Sequence, residues 1–412
     1  MKIAVIGSGG REHAIISKLS ASPAVEKIFA IPGNGGTENN IPLSVNDFDG
    51  IKSFCENEGV GLIFVGPEDP LQAGIVDYFS GSNIKVFGPD KRAAQLESSK
   101  IYAKQFMQKY GVATAAFQAF TDLESALEFC HQWEGNCVIK YDGLAAGKGV
   151  FVCSDMDEAT FALGMINTRY GANAPLLIEE KLTGQELSLL AFTDGVNYKL
   201  LLPSQDHKQL LEGDEGPNTG GMGAFCPVDF CDAALLAKIE ETIIKPAFKG
   251  IAAENFNYHG VLYFGLMINN NIPQVLEFNV RLGDPETEVV LPALKSDLFQ
   301  LVNACFDGSL ADLELEFHPG YFVDVVLVSG GYPGVYVKYL PITGLENINC
   351  QVFHAGTKLK NSQLVTSGGR VLNIVHTGKT LPEAIANCYA EVKKITFKDV
   401  FYRKDIGNRK NI

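Results

Sequence analysis

Through the first hundred residues, short apolar runs alternate with amphipathic stretches. The runs at 2–7, 27–31, 61–66 and 84–88 are bounded by Gly, Pro or Asn, which predicts buried strands. Helical patterns lie between them at 11–20, 48–58 and 70–80. Such alternation predicts a parallel sheet with right-handed crossovers, whose ligand edge lies at the strand carboxyl ends. The turns GSGGREH (7–13), PGNGG (32–36) and GPEDP (66–70) all fall on that edge.

A helical stretch at 91–110 leads to a different pattern. Apolar runs at 137–143 and 149–153 flank a short glycine loop. Strands joined by so few residues are antiparallel, so this unit reads as a hairpin lid. Residues 176–192 predict strand, crossover and strand, with further strands at 260–268 and 274–279. The alternation returns at 321–331 and 370–378, with a helix at 381–394, which predicts a small α/β cap. The fold class is therefore α/β, divided into a parallel-sheet unit over 1–100, a core over 101–320 with its lid at about 121–187, and a cap over 321–412.

A chain of 412 residues exceeds one compact core and fits several domains. Its 34 basic and 48 acidic residues give 34 − 48 = −14, a balance that disfavours nucleic acid and anionic membrane as partners. Any anionic substrate then needs a local cluster of donors. The nine cysteines are scattered without C-x-x-C spacing, as expected of reduced thiols. With neither a charged-then-apolar leader nor an 18-residue apolar run, a cytoplasmic protein is expected.

The turn at Gly7, Gly9 and Gly10 opens like a dinucleotide fingerprint, yet Glu12 takes the third glycine position and Ile31-Pro32-Gly33-Asn34 stands where a ribose-binding acid belongs. This disfavours hydride transfer and leaves two readings: phosphate binding by backbone amides, or a tight structural turn. Lys140 to Gly149 is not a Walker loop, because Gly143 to Gly147 is one residue short and Gly149 follows Lys148 in place of Ser or Thr. A glycine loop on a hairpin can still fold over a triphosphate while Lys140 and Lys148 supply charge. In Glu277-Phe-Asn279-Val-Arg281, alternation puts Glu277, Asn279 and Arg281 on one face. The first two suit magnesium, and Arg281 suits phosphoryl charge.

Several segments together resemble the phosphoribosylamine-glycine ligase family of ATP-grasp enzymes: GSGGREHA, PGNGGT, VGPEDPL, FGP with AAQLESSK, VIKYDGLAAGKGV, SQDHK, GPNTGGMGAF, EFNVRLGDPETE and RKDIG. They stand in the family's order over almost the whole chain. Tyr141 departs from the pattern, since the family usually has a small residue there. The resemblance implies a pre-ATP-grasp domain, an ATP-grasp core and a C-terminal domain. It also implies a reaction in which glycine and 5-phosphoribosylamine are joined through a glycyl phosphate, with ATP and Mg2+ (or Mn2+).

By the same resemblance, Lys104, Lys140, Gly147, Lys148 and Gly149 meet the ATP phosphates. Glu179, Glu180 and Leu182 form the adenine hinge through backbone groups, and Glu186 meets the ribose. Glu277 and Asn279 hold the metal, and Arg281 clamps the transferring phosphoryl group. Asp206 and Asp284 hold the glycine ammonium, Gly9 and Gly10 the sugar phosphate. Lys208, Thr219, Gly220 and Gly221 belong to the substrate-side loops. His207 reads equally as a substrate-side or a structural residue, while His13 and His259 read as structural. A monofunctional monomer or weak dimer is expected. The alternatives are another ATP-grasp ligase of nucleotide synthesis and a non-catalytic nucleotide-sensing module.

Overall fold

The computed structural model describes residues 1–143 and 149–408. Strands Lys2–Gly7, Lys27–Pro32, Val60–Val65 and Lys85–Pro89 pair in parallel, as their apolar runs predict. They belong to an eight-stranded sheet that continues through Tyr258–Asn269 into Gln185–Thr193 and Tyr198–Leu200. The join is antiparallel, with Tyr258 opposite Pro89 and His259 opposite Gly88. One sheet thus crosses the boundary expected near residue 100 and joins strands of the first unit to those of the second.

Two predicted helices are divided. The stretch at 70–80 becomes Glu68–Ala73 and Ile75–Tyr78, because Gly74 between them takes φ +93°, a left-handed conformation that ends the first helix. The stretch at 91–110 becomes Gln95–Ser98 and Lys100–Tyr110. There Ser99 is extended and its hydroxyl accepts from the Tyr102 amide, an N-cap that restarts the helix.

The lid is a separate antiparallel sheet in the order Phe117–Phe120, Leu176–Glu180, Cys137–Tyr141, Val150–Val152. It has its own apolar core around Ile139, Ile166 and Ile178. The departure at Tyr141 has a local partner: its ring stacks on Tyr170, 3.7 Å between centroids and 3° from parallel.

The C-terminal sheet draws on more chain than its cap expectation assigned. Gln205–Asp206 and Gly223–Cys226 join Tyr321–Val328, Arg370–Gly378 and Gln351–His354. Tyr321–Val328 is buried along nearly its whole length and needs ladder partners on both sides, which Gly223–Cys226 and Arg370–Gly378 supply. The RKDIG segment pins the loop between the two early strands: buried Arg403 holds Asp214 at 2.9 Å, Asp405 at 2.7 Å and the Gln209 carbonyl at 3.0 Å. All nine cysteines are free thiols, seven of them buried. Among the described residues no helix is long and apolar enough to cross a membrane.

Helix Thr287–Ala293 packs on Tyr321–Val328, and there Glu288 and Asp324 are fully buried. Burial pushes both carboxyls well above the usual range, and the charge of Asp284 pushes the same way. Each binds its proton more tightly folded than unfolded, so stability falls as pH rises from the unfolded carboxyl value towards the folded one. Asp324→Asn should stabilise the protein and flatten this dependence, by about 1.4 kcal/mol per pH unit of the window. Melts of both proteins between about pH 5 and 8 check this, and two parallel curves would reject it.

Candidate functional site

Between the lid and the long strands lies a cleft of about 430 Å³. On the lid side, Lys104 from helix Lys100–Tyr110 and Lys140 from strand Cys137–Tyr141 point at one acid, Glu179. Each ammonium is 2.8 Å from its carboxylate, and all three groups are buried. Lys104 also donates to Thr114 at 2.6 Å, and Lys140 to the Leu276 carbonyl at 3.2 Å. Burial, with Lys140 adding like charge, pushes Lys104 down to about 8 against the pull of Glu179. The two lysines keep Glu179 below the usual carboxylate range despite its burial. Sequence reasoning gave Glu179 a backbone role only; its side chain balances both lysines. Glu180, Leu182 and Gly149 also line the cleft, whereas Gly147 and Lys148 lie outside the described residues.

Opposite them, Glu277, Asn279 and Arg281 all line the cleft, as alternation predicts. The alternation survives a bulge: Gly265 faces Glu277 while Leu266 faces Val275, so Leu276 is the extra residue. Arg281 lies beyond the end of strand Ile272–Asn279 and is held by Glu97 at 2.7 Å and Glu68 at 3.4 Å. It also donates to Asn279 Oδ1 at 3.2 Å. Burial pushes Glu97 up to about 7 against the pull of Arg281. The segments VGPEDPL and AAQLESSK therefore each deliver an acid to the same guanidinium, a convergence that linear sequence does not show.

A carboxylate from Glu277 and an amide oxygen from Asn279, both partly open to the cleft, form a hard oxygen pair. Among the described residues no group of three His, Cys, Asp or Glu forms a complete metal site. The pair fits a hard divalent cation, whose remaining positions would be taken by water and phosphate oxygens.

At the far end, Lys208 binds Asp206 at 2.9 Å and Glu186 at 2.7 Å. Burial opposes its charge, but these two acids outweigh it and raise Lys208 well above the ordinary lysine value. Asp284 is taken by Arg370 of the C-terminal sheet at 2.8 Å, and the same guanidinium holds the Gly220 carbonyl at 2.5 Å. Thr219 donates to the Lys208 carbonyl at 2.8 Å and accepts from the Gly221 amide at 3.0 Å. Thr219 and Gly220 line the cleft; Gly221 packs on Pro285, where a Cβ would lie 2.3 Å from the ring. Buried Glu286 completes this end, with the hydroxyls of Ser188 and Tyr263 at 2.9 and 3.1 Å.

Gly9 and Gly10 are not among the residues that line the cleft, but a Cβ at Gly9 would lie 3.5 Å from Oδ2 of Asp284, which does line it. The Gly9 amide donates to the Glu12 carboxylate at 2.6 Å, so an anion arriving there would displace that carboxylate. The turn is shaped around Glu12: a Cβ at Gly7 or Gly66 would lie 2.5 or 2.1 Å from its side chain. His207 is buried, its Nε2 accepting from the Gly407 amide at 3.4 Å. His13 accepts from the His354 amide at 2.8 Å, and His259 Nδ1 lies 2.6 Å from the Cys305 carbonyl. Sequence reasoning missed Glu68, Glu97, Ser188, Tyr263, Glu286 and Arg370. Glu68, Glu97 and Glu286 lie inside segments already singled out; Ser188, Tyr263 and Arg370 lie on strands read only as apolar runs.

Residues 1–97, 98–287 and 322–409 match the N domain, the ATP-grasp (A) domain and the C domain of phosphoribosylglycinamide synthetase. The chain is similar to phosphoribosylamine–glycine ligase of Nostoc sp., 45% identical with 100% of each chain covered. The crystal structure of phosphoribosylamine–glycine ligase from Thermotoga maritima superposes with a TM-score of 0.84 at 37% identity, covering 98% of this chain and 100% of that one. A biotin carboxylase from Campylobacter jejuni, 17% identical, shares the fold with a TM-score of 0.71 over 98% of this chain and 94% of that one.

The ion triad makes a stability prediction. Glu179→Gln leaves two buried ammonium groups without their carboxylate, and breaking a buried pair from one side costs about 3–5 kcal/mol. The variant should melt lower without nucleotide and gain more from added ATP than the wild type, because phosphate then supplies the missing negative charge. Thermal melts with and without ATP measure both effects; equal gains from ATP would count against the triad as the phosphate site.

Proposed function

The chain belongs to the phosphoribosylglycinamide synthetase family, and we propose that it joins glycine to 5-phosphoribosylamine in purine biosynthesis. The product is glycinamide ribonucleotide, formed with ATP going to ADP and phosphate through a glycyl phosphate. The observation that carries this reading is convergence: Lys104, Lys140 of the lid, the EFNVRLGDPETE segment and the SQDHK segment face one cleft.

A carboxylate is a poor electrophile, so glycine is phosphorylated before the amine attacks. That first step brings two anions together. Lys104, Lys140 and, by resemblance, Lys148 meet the triphosphate, and Arg281 faces the group in transfer. The adenine lies against the backbone of Glu179 to Leu182, with Glu186 at the ribose. Glu277 and Asn279 hold magnesium (or manganese), which when bound neutralises phosphate charge. Asp206 and Asp284 receive the glycine ammonium, and Lys208, Thr219, Gly220 and Gly221 shape the substrate end. The sugar phosphate binds near Gly9 and Gly10 in place of the Glu12 carboxylate; a Cβ at Gly9 would lie 3.5 Å from Asp284 Oδ2, a proximity that supports this reading. The lid excludes water from the acyl phosphate. The enzyme works on small molecules in the cytoplasm, as a monomer or weak dimer, without nucleic acid or membrane.

Two measurements test this. ADP release should require both glycine and phosphoribosylamine, and equal turnover with bicarbonate or formate would reject the substrate assignment. Glu277→Ala should lower kcat on the order of 10² to 10³ while leaving the melting temperature nearly unchanged. A magnesium titration of kcat checks it; near-normal turnover with unaltered magnesium dependence would defeat the metal assignment.

A further inference from the structure

Acids crowd the cleft, and most are already committed to a cation. Glu97, Glu179, Asp206 and Asp284 have a lysine or arginine at 2.7, 2.8, 2.9 and 2.8 Å respectively. Glu286 differs. Its side-chain hydrogen-bond partners are two neutral hydroxyls, Ser188 Oγ at 2.9 Å and Tyr263 Oη at 3.1 Å, both on Oε1. Oε2 lies against Gly283, where a Cβ would approach within 2.5 Å, so a side chain there would force this oxygen to shift. The carboxylate is 97% buried and still lines the cleft, beside the end where Asp206 and Lys208 stand.

Resting on the ligase reading above, we propose that Glu286 is the base that takes the proton released when the phosphoribosylamine nitrogen attacks glycyl phosphate. The nitrogen lone pair forms the new C–N bond to the carbonyl carbon, and the C–O bond to phosphate breaks with its electron pair leaving on phosphate. The surplus N–H proton passes to Glu286, which becomes a neutral carboxylic acid and returns the proton to solvent after product release. No redox partner is involved.

The surroundings match that task. Burial, with the charge of Asp206 adding, pushes Glu286 up to about 7 against the pull of Lys208, its own backbone amide and the Ser188 hydrogen bond. Arg281 and Tyr263 also face it: burial opposes the charge of Arg281 while Glu97, Glu68 and Glu286 favour it, and burial together with Glu286 raises Tyr263. A base with its pKa near the working pH combines a usable deprotonated fraction with real proton affinity. Committed acids such as Glu179, held low by two lysines, lack that affinity.

The test uses the full-length enzyme with ATP, magnesium and both substrates. Wild-type kcat should fall on the acid side of about pH 7, because the base must be deprotonated. Glu286→Gln should lose that limb and lower ligation on the order of 10²-fold or more. Glycine-dependent scrambling of oxygen between the bridge and non-bridge positions of ATP, measured with ribose 5-phosphate replacing the amine, should fall far less, since it reports phosphorylation alone. Ser188→Ala removes a hydrogen bond that favours the carboxylate, and should move the limb to higher pH; it keeps the test alive if Glu286→Gln misfolds. An unaltered acid limb in either variant would overturn the proposal, as would equal loss of scrambling and ligation in Glu286→Gln. Wild-type enzyme without glycine-dependent scrambling would strike the ligase reading instead.

Discussion

Two ammonium groups cannot be buried side by side without an anion between them, and this constraint organises the cleft. Glu179 satisfies it for Lys104 and Lys140 at 2.8 Å each. The same solution recurs with Arg281 between Glu97 and Glu68, Lys208 between Asp206 and Glu186, and Arg370 on Asp284. Desolvating an unpaired charge costs several kcal/mol, so pre-paired cations let the cleft stay folded and preorganised before substrates arrive. On the proposed reading, anionic substrates would exchange partners with resident carboxylates. The attraction they gain is a difference between two ion pairs, which moderates ground-state binding and leaves more of it for charge that develops during phosphoryl transfer.

Such pairing needs acids and bases from distant parts of the chain held to within a few tenths of an ångström, and the sheets provide this. Because Lys85–Pro89 joins Tyr258–Asn269 in one ladder, Glu68 and Glu97 from the early chain stand at fixed positions beside Arg281. Because Gly223–Cys226 sits in the C-terminal sheet, the loop carrying Lys208 and Thr219 is anchored next to Arg370. The lid sheet keeps an apolar core of its own, and Glu179 and Lys140 tie it across the cleft to Lys104 and the Leu276 carbonyl.

The parallel unit, the hairpin lid and the cleft-facing set Glu277, Asn279 and Arg281 were legible in the sequence, because periodicity and turn chemistry act over a few residues. The pairing of Glu179 with two lysines was not. The three positions lie on different elements, and a Glu in an apolar strand carries no mark of its partner. Arg370 was invisible for the same reason: its strand reads as an apolar run, and only the antiparallel ladder with Tyr321–Val328 brings it to Asp284. The helix breaks at Gly74 and Ser99 were within reach, since a left-handed glycine and a serine N-cap are local signals, but a continuous amphipathic pattern outweighed them.

The opening glycine turn shows how one position redirects a familiar pattern. A strand, a glycine-rich turn and a helix N-terminus present amides suited to an anion, whether that anion is a cofactor phosphate or part of the chain. A third glycine leaves the space open for a ligand, whereas Glu12 fills it: its carboxylate takes the Gly9 amide at 2.6 Å and pairs with Arg11 at 2.6 Å. Gly7 and Gly66 are then required for Glu12 itself, since any side chain there would overlap it. Arg11 continues the chain of contacts to the Leu282 carbonyl at 3.2 Å, one residue from Arg281. The glycines at the start of the chain therefore help set the backbone that carries Arg281, through an internal carboxylate that occupies the anion position of the turn in this structure.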